Sequence, residues 1–332
     1  MADLVTSRSG ALGHILLNRP TAMNALNDEM VAGVTATLDA WRLDAEIATV
    51  VVSGAGDRGL CAGGDVVGMY RSALLDGVGA AEFWRAEYAM NLVIAEYPKP
   101  YVALMDGVVL GGGVGISAHG SVRVVTERTR LGMPEVVIGY TPDVGVDFLL
   151  ARAPGELGTH AALTGNTMSG SDAIALGLAD HFVPSERLPD LVAALESELP
   201  DAALPRFAQQ PPPSALAVDR EWIDAAYAGD DPIAIVEHLT ASPVAAAREA
   251  AATILSRSPT SVAVTLAALR RARGLTLEEV LDQDLRLGLR FLAGHDLVEG
   301  IRAQVIDKDR NPRWSPASLA EVSRADVESY FE

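Results

Sequence analysis

An α/β fold is predicted for this chain by three observations. β-Branched runs that end in turn residues alternate with helical periodicity over the first half. Two of those runs lead into glycine-rich loops, and after about residue 190 the strand signals give way to Ala-rich helical segments. The runs "HILLNRP" (14–20) and "ATVVVSGAG" (48–56) read as strands, each stopped by turn residues. Between them "NDEMVAGVTATLDAWRLD" carries apolar residues at helical spacing, with Asn27 or Asp28 placed to cap the first turn. "KPYVALMDGVV" (99–109) is a third strand, "GGGVGISAHG" a glycine loop leading into a short helix, and "VRVVTE" (122–127) a fourth strand. "QQPPPSALAVD" (209–219) is a proline-rich connector, and helical patterns resume in "PVAAAREAAATILSRSPTS" and "TLEEVLDQDLRLGLRFLAG". The chain therefore divides into an α/β core over 1–190 and a helical C-terminal region over 191–332 packed on it, with no internal repeat.

The 332 residues are 49% hydrophobic and 21% charged, as in an ordinary globular protein. Acidic residues outnumber basic ones 44 to 26, a formal net charge of −18, which disfavours nucleic acid and anionic membranes as partners. An anionic ligand must be held by local cations or by backbone N–H groups. The single Cys61 excludes an intramolecular disulfide. No signal-like apolar stretch follows the N-terminus and no run reaches membrane-spanning length, so a cytoplasmic location is expected.

Two loops have the composition of an anion site. "GLCAGGD" (59–65) and "LGGGVG" (110–115) each follow a strand, and their glycines let backbone N–H groups approach a ligand. One N–H from each would make an oxyanion hole for acyl transfer, although a glycine run alone also serves close packing. Gly113, Gly115 and Ala118 also satisfy a G-x-G-x-x-A dinucleotide spacing with Glu127 as the acid. The helix before Val122 is too short and the acid too early, so a nicotinamide cofactor is rejected. Ser117 lacks the G-x-S-x-G setting of a nucleophile, and His119 reads as a helix-end residue. The six histidines show no ligand spacing, so no metal is expected, and Cys61 reads as a small buried hydrophobe.

"MPEVVIGYTPDVG" (133–145) places Glu135 and Asp143, each directly after a proline, in an apolar run with no Lys or Arg between them. They are either turn residues at strand ends or a reactive pair. In a dry pocket, two nearby carboxylates cannot both ionise freely, which leaves one to act as nucleophile or base while the other positions a proton or water.

"NRPTAMNALN", "CAGGDV", "GGGVG", "MPEVVIG" and "LTG…ALGLADHFV", in that order over about residues 4–190, resemble the crotonase (enoyl-CoA hydratase/isomerase) superfamily of acyl-CoA enzymes. The resemblance implies a spiral of β-β-α turns with a helical C-terminal region. It also implies an acyl-CoA substrate whose thioester oxygen sits between the N–H groups of Gly64 and Gly112. Hydratases of the family carry a glutamate at the position of Gly115, so the two-glutamate hydration site is broken here, while Glu135 is retained. Asp143 in "TPDVG" stands where hydratases carry glycine, as in the 3-hydroxyisobutyryl-CoA hydrolase branch of valine catabolism. "SPTS", "TLEEVL" and "GHDLVEGIRAQVIDKDRNPRW" in the longer C-terminal part resemble the same branch. "RAEYAMN" (85–91) does too, implying that Glu87 lines the substrate pocket; on pattern alone Glu87 would be a solvated helix residue. The family often has Lys after "NRP", but Thr21 stands here, which leaves Arg19 or Arg58 as candidate cations for the coenzyme A phosphates.

The resemblance thus implies thioester hydrolysis of a 3-hydroxyisobutyryl or 3-hydroxypropionyl group. Gly64 and Gly112 would hold the oxyanion, Glu135 would act as nucleophile or base, and Asp143 and Glu87 would orient substrate or water. No cofactor is implied beyond the coenzyme A of the substrate. The alternatives are a hydratase or isomerase on the same fold, and a non-catalytic acyl-CoA binder. Family relatives are often homo-oligomers.

Overall fold

A computed structural model describes residues 2–332. The chain forms two compact units: one of the chain through Gly64 with Ala86–Gly132 and Met168–Ala215, the other of Asp65–Arg85, Met133–Thr167 and Leu216–Glu332. All ten strands belong to the first unit: β1 (Leu4–Ser9), β2 (Leu12–Leu17), β3 (Thr49–Gly54), β4 (Gly59–Cys61), β5 (Tyr101–Met105), β6 (Val108–Leu110), β7 (Val122–Val125), β8 (Arg130–Gly132), β9 (Met168–Ser169) and β10 (His181–Phe182).

They make two sheets. The six-stranded sheet runs β1-β2-β3-β5-β7-β10, antiparallel at β1–β2 and parallel elsewhere. The four-stranded sheet runs β4-β6-β8-β9, antiparallel only at β8–β9. The run at 99–109 is therefore two strands rather than one. Tyr101–Met105 joins the large sheet and Val108–Leu110 the small one. The break falls at Asp106–Gly107, where Gly107 has φ +79° and a Cβ would stand 2.6 Å from the Arg58 carbonyl oxygen. β3 then β4, β5 then β6, and β7 then β8 each place one strand in each sheet, and helices follow the first two pairs. This is the β-β-α turn of the expected spiral.

Parallel strands buried on both faces explain the continuous Val-rich runs: Val50, Val51 and Val52 are all fully buried. One sheet face packs Leu12, Val51, Val102, Leu104 and Val124 against Leu188, Leu191, Leu195, Leu204 and Phe207. That packing draws the chain through Ala215 into the first unit, so the compact division does not follow a linear boundary near residue 190. β1 carries no strand signal in the sequence, because five of its six residues are exposed and give no apolar alternation.

Among the described residues of the second unit no strand occurs, in keeping with the expected helical C-terminal region. The Leu277–Leu292 helix starts at a Thr276/Glu279 capping box and buries Val280, Asp284, Leu287 and Phe291 along one stripe. Gly288 lets it approach closely: a Cβ there would stand 2.8 Å from Tyr140 Oη and 3.1 Å from the Trp84 ring. Trp84 and Tyr140 stack at 5.4 Å, and Phe291 meets Tyr140 edge-on at 5.5 Å.

Gly107→Ala should cost about 1–3 kcal/mol of stability, because the left-handed backbone and the Arg58 carbonyl both oppose a side chain. A urea melt checks this, and an unchanged midpoint would mean that the strand break does not need glycine.

Candidate active site

Within the first unit, the loop carrying Gly63 and Gly64 is held from below by "NRPTAMNALN". Met23 and Asn24 both take left-handed conformations, with φ +48° and +57°. Asn24 is 1% exposed; its side-chain carbonyl accepts from Arg19 N at 3.0 Å, and its amide donates to Ala55 O at 3.0 Å and Gly59 O at 3.1 Å. The turn then reaches that glycine loop through Ala62 N to Met23 O at 3.0 Å and Leu26 N to Gly63 O at 2.8 Å. In the parallel bridge between Leu26 and Gly64, that bonding leaves the Gly64 N–H outside the ladder.

Gly112 opens the Gly112–Ala118 helix, whose first N–H groups have no intrahelical acceptor. A Cβ on Gly112 would stand 3.3 Å from Gly64 N and overlap Glu87 Oε1. Gly64, Gly112 and Glu87 are therefore brought together, and a side chain at 112 would have to displace the Glu87 carboxyl. Glu87 lies on the Val78–Ala95 helix at 2% exposure, not on a solvated face.

Other residues weighed from sequence find ordinary places here. Ser117 is fully buried, and its hydroxyl donates to Gly113 O at 2.6 Å. His119 caps the same helix at its C-terminus. Burial pushes the Cys61 thiol up to about 12, away from any reactive thiolate. Arg58 donates to the carbonyls of Pro20 and Thr21, and Arg19 pairs with Asp3 at 3.3 Å and donates to Ala25 O at 2.6 Å. Both candidate phosphate cations thus already brace the turn that supports the glycine loop.

The carboxylates Glu135 and Asp143 lie in the second unit, at 7% and 6% exposure. Neither is at a strand end. Glu135 starts the 3-10 turn Glu135–Ile138, which Gly139 closes at φ +73°. This turn is pressed onto the Asp296–Ile301 helix, since a Cβ at Gly139 would overlap the Asp296 carbonyl and one at Gly300 the Ile138 carbonyl. Asp296, 5% exposed, accepts from Ser258 Oγ at 2.6 Å and Ser315 N at 2.8 Å. "SPTS" and "GHDLVEG" therefore form the seat beneath the Glu135 turn.

Asp143 precedes Val144 and Gly145, both left-handed at φ +54° and +73°, and the Val146–Leu150 helix. Two further acids, both fully buried, surround this turn: Asp147 and Asp284. Asp284 Oδ2 accepts from Gly145 N at 2.8 Å, while neither Asp147 oxygen has a hydrogen-bond partner. Burial first, then the Asp143 charge, raises the Asp147 carboxyl well above the usual range. Burial, then Asp147 and Asp143, does the same for Asp284, against a lowering from the Gly145 N–H. Sequence reading missed both. The signals were an acid in the apolar stripe of an amphipathic helix at 284 and an acid inside "VGVDFLL" at 147. Among the described residues, no group of three or more His, Cys, Asp or Glu side chains is arranged to hold a metal ion.

The family model described as Enoyl-CoA hydratase/isomerase matches residues 12–331, and the chain belongs to that family. Within it, the chain is 38% identical to the 3-hydroxyisobutyryl-CoA hydrolase, mitochondrial, of Xenopus tropicalis, over 99% of this chain and 88% of that protein. It is 36% identical to the human protein of the same name, over 99% and 88%. A crystal structure described as a carnitinyl-CoA dehydratase from Mycobacterium thermoresistibile is 51% identical, with a TM-score of 0.97 over 100% of this chain and 97% of that one. Another, described as an enoyl-CoA hydratase from Rhodobacter sphaeroides, is 39% identical, with a TM-score of 0.94 over 99% and 97%. No helix among the described residues is long and apolar enough to cross a membrane. The mitochondrial names of the hydrolases do not fit the cytoplasmic location expected from sequence.

An acid whose folded pKa is raised favours folding fully below its unfolded value, about 3.9 for Asp, and loses that contribution as pH rises through the folded value. Asp147→Asn, which mimics the protonated form, should therefore raise the melting temperature relative to wild type by an amount that grows from pH 4 towards pH 8. A pH-independent difference in thermal melts would mean that Asp147 is not neutral in the folded chain.

Proposed function

We propose that this chain hydrolyses the thioester of 3-hydroxyisobutyryl-CoA, with 3-hydroxypropionyl-CoA as a second substrate, in valine breakdown. The observation that carries this is near-full-length similarity to proteins named for that hydrolysis, together with two buried carboxyls, Asp143 and the retained Glu135. The N–H groups of Gly64 and Gly112 stabilise the oxyanion of the tetrahedral intermediate, a contribution of roughly 2.7–4 kcal/mol per donor in other acyl-transfer enzymes. Glu135 attacks the thioester carbonyl or takes the proton of the attacking water. With water as nucleophile, collapse of the tetrahedral intermediate breaks the C–S bond and Glu135 returns the water's proton to the departing sulfur. With Glu135 as nucleophile, coenzyme A leaves as the thiolate, and a water then cleaves the acyl–Glu135 anhydride to the hydroxy acid, frees Glu135 and supplies the thiol proton. Asp143 and Glu87 orient the water and the substrate hydroxyl. The coenzyme A belongs to the substrate, and no other cofactor or metal takes part. One methyl group separates the two acyl chains and discriminates by only about 1–3 kcal/mol, which is why both are accepted.

A second reading is hydration or dehydration at the acyl chain, favoured by the 51% identity to a structure described as a dehydratase. Against it, Gly115 is buried inside the Gly112–Ala118 helix and offers no carboxylate at the position where the hydratases have one.

Glu135→Gln should lower kcat for thiol release from 3-hydroxyisobutyryl-CoA by about 100-fold or more with the melting temperature preserved, as loss of a general base or nucleophile does. Near-normal turnover would remove Glu135 from the reaction. Asp143→Gly should abolish hydrolysis by a similar factor, about 100-fold. Unchanged hydrolysis in that variant would withdraw the reason for preferring a hydrolase. Gly112→Ala should disable turnover while Glu135 is intact, because the added methyl meets Glu87 and crowds Gly64 N; an active Gly112→Ala enzyme would contradict the oxyanion assignment.

A further inference from the structure

Val144 is a fully buried β-branched residue at φ +54°, a conformation such side chains rarely hold unless the surroundings impose it. Gly145 follows in the same region at φ +73°, and the turn connects Asp143 to the Val146–Leu150 helix. The bond from Gly145 N to Asp284 Oδ2, 2.8 Å long and wholly buried, reaches this strained turn from a helix 139 residues further along the chain.

An acid is an expensive choice for that one acceptor. Asp284 is fully buried, its Oδ1 has no hydrogen-bond partner, and the charges acting on it are two further carboxylates, Asp143 and Asp147. Asp147, on the short helix after the turn, is equally buried, and both of its oxygens lack partners. Stability alone would favour leucine in the stripe made by Val280, Leu287 and Phe291.

We propose that Asp284 is a positioning residue for the reaction: its carboxyl clamps the left-handed Val144–Gly145 turn and so fixes the place of Asp143. This rests on the hydrolase reading for the role of Asp143, but the clamp itself does not. Asp284 touches the backbone of the turn and acts through it. The Asp143 charge acts on both Asp147 and Asp284, with no cation among the groups that act on the pair.

The test compares wild type, Asp284→Asn and Asp284→Leu by steady-state thiol release, thermal unfolding, and amide hydrogen exchange of a peptide spanning 139–150. Asparagine keeps an oxygen for the Gly145 N–H; leucine keeps bulk and removes the acceptor. The expected result is kcat within about 3-fold of wild type for Asn and about 100-fold lower for Leu, with KM nearly unchanged, the scale of loss that misplacing a reacting group brings. Exchange in 139–150 speeds up in the Leu variant alone, while its melting temperature equals or exceeds wild type. Wild-type kcat and exchange in Asp284→Leu would overturn the proposal. So would a loss of activity that tracks a general loss of protection and melting temperature, which marks a purely structural residue. If wild type releases no thiol from the hydroxyacyl thioester, the hydrolase reading fails, while the exchange comparison still decides the clamp.

Discussion

Removing a carboxyl group from water costs several kcal/mol unless hydrogen bonds or an opposite charge compensate, and the second unit of this chain buries Asp147 and Asp284 without a cation among the groups that act on them. Elsewhere the same unit solves the problem in the usual way: Arg270 pairs with Glu156 at 2.8 Å, and Arg302 with Glu299 at 2.8 Å. Burial and the neighbouring carboxylates push the Asp147 and Asp284 carboxyls well above the usual range, which favours the neutral form over an uncompensated charge. Asp143 sits in their field, on a turn whose backbone is strained and tied. A protein selected for stability alone has no need of such a cluster, and strain and buried acids gather where chemistry is performed.

On the proposed mechanism, the first unit answers a different need. An oxyanion has to be met by donors that are already in place, and backbone N–H groups serve only if the backbone comes close enough. Two glycines provide the approach, but the glycines do not hold themselves. The left-handed Met23–Asn24 turn and the three bonds of Asn24 fix the loop that ends at Gly64. The packing of Gly112 against Gly64 N and Glu87 means that a side chain there would displace the Glu87 carboxyl and crowd the Gly64 N–H. Arg19 and Arg58 both brace the same support, through Ala25 O and Thr21 O.

The strand–helix alternation and the glycine loops were legible because burial on both faces forces continuous β-branched runs, and close approach forces glycine. The split of 99–109 between two sheets was not, since nothing in "VALMDGVV" marks a change of sheet except Gly107, whose positive φ is visible only in the fold. β1 gave no signal because its side chains face solvent. Gly64, Gly112, Glu87, Glu135 and Asp143 were singled out through motif resemblance, Glu87 only that way; the fold brings the first three together in one unit and buries Glu135 and Asp143 in the other. Asp147 and Asp284 were missed although each interrupts an apolar pattern, because one acid in a helix heptad reads as surface until the stripe is placed. Asp296 likewise looked like part of a family motif, and its work as the seat beneath the Glu135 turn depends on Ser258 and Ser315, which the sequence sets 38 and 19 residues away.

Relatives of this chain carry the names of a hydrolase, a dehydratase and a hydratase, and the bond that breaks distinguishes them. The most direct measurement presents the wild-type protein with 3-hydroxyisobutyryl-CoA, crotonyl-CoA and carnitinyl-CoA in parallel, following free thiol and the acyl double bond in each. Thiol release from the hydroxyisobutyryl thioester, with neither loss nor gain of a double bond in the other two, is the predicted result. Interconversion of saturated and unsaturated acyl groups with the thioester intact would contradict it.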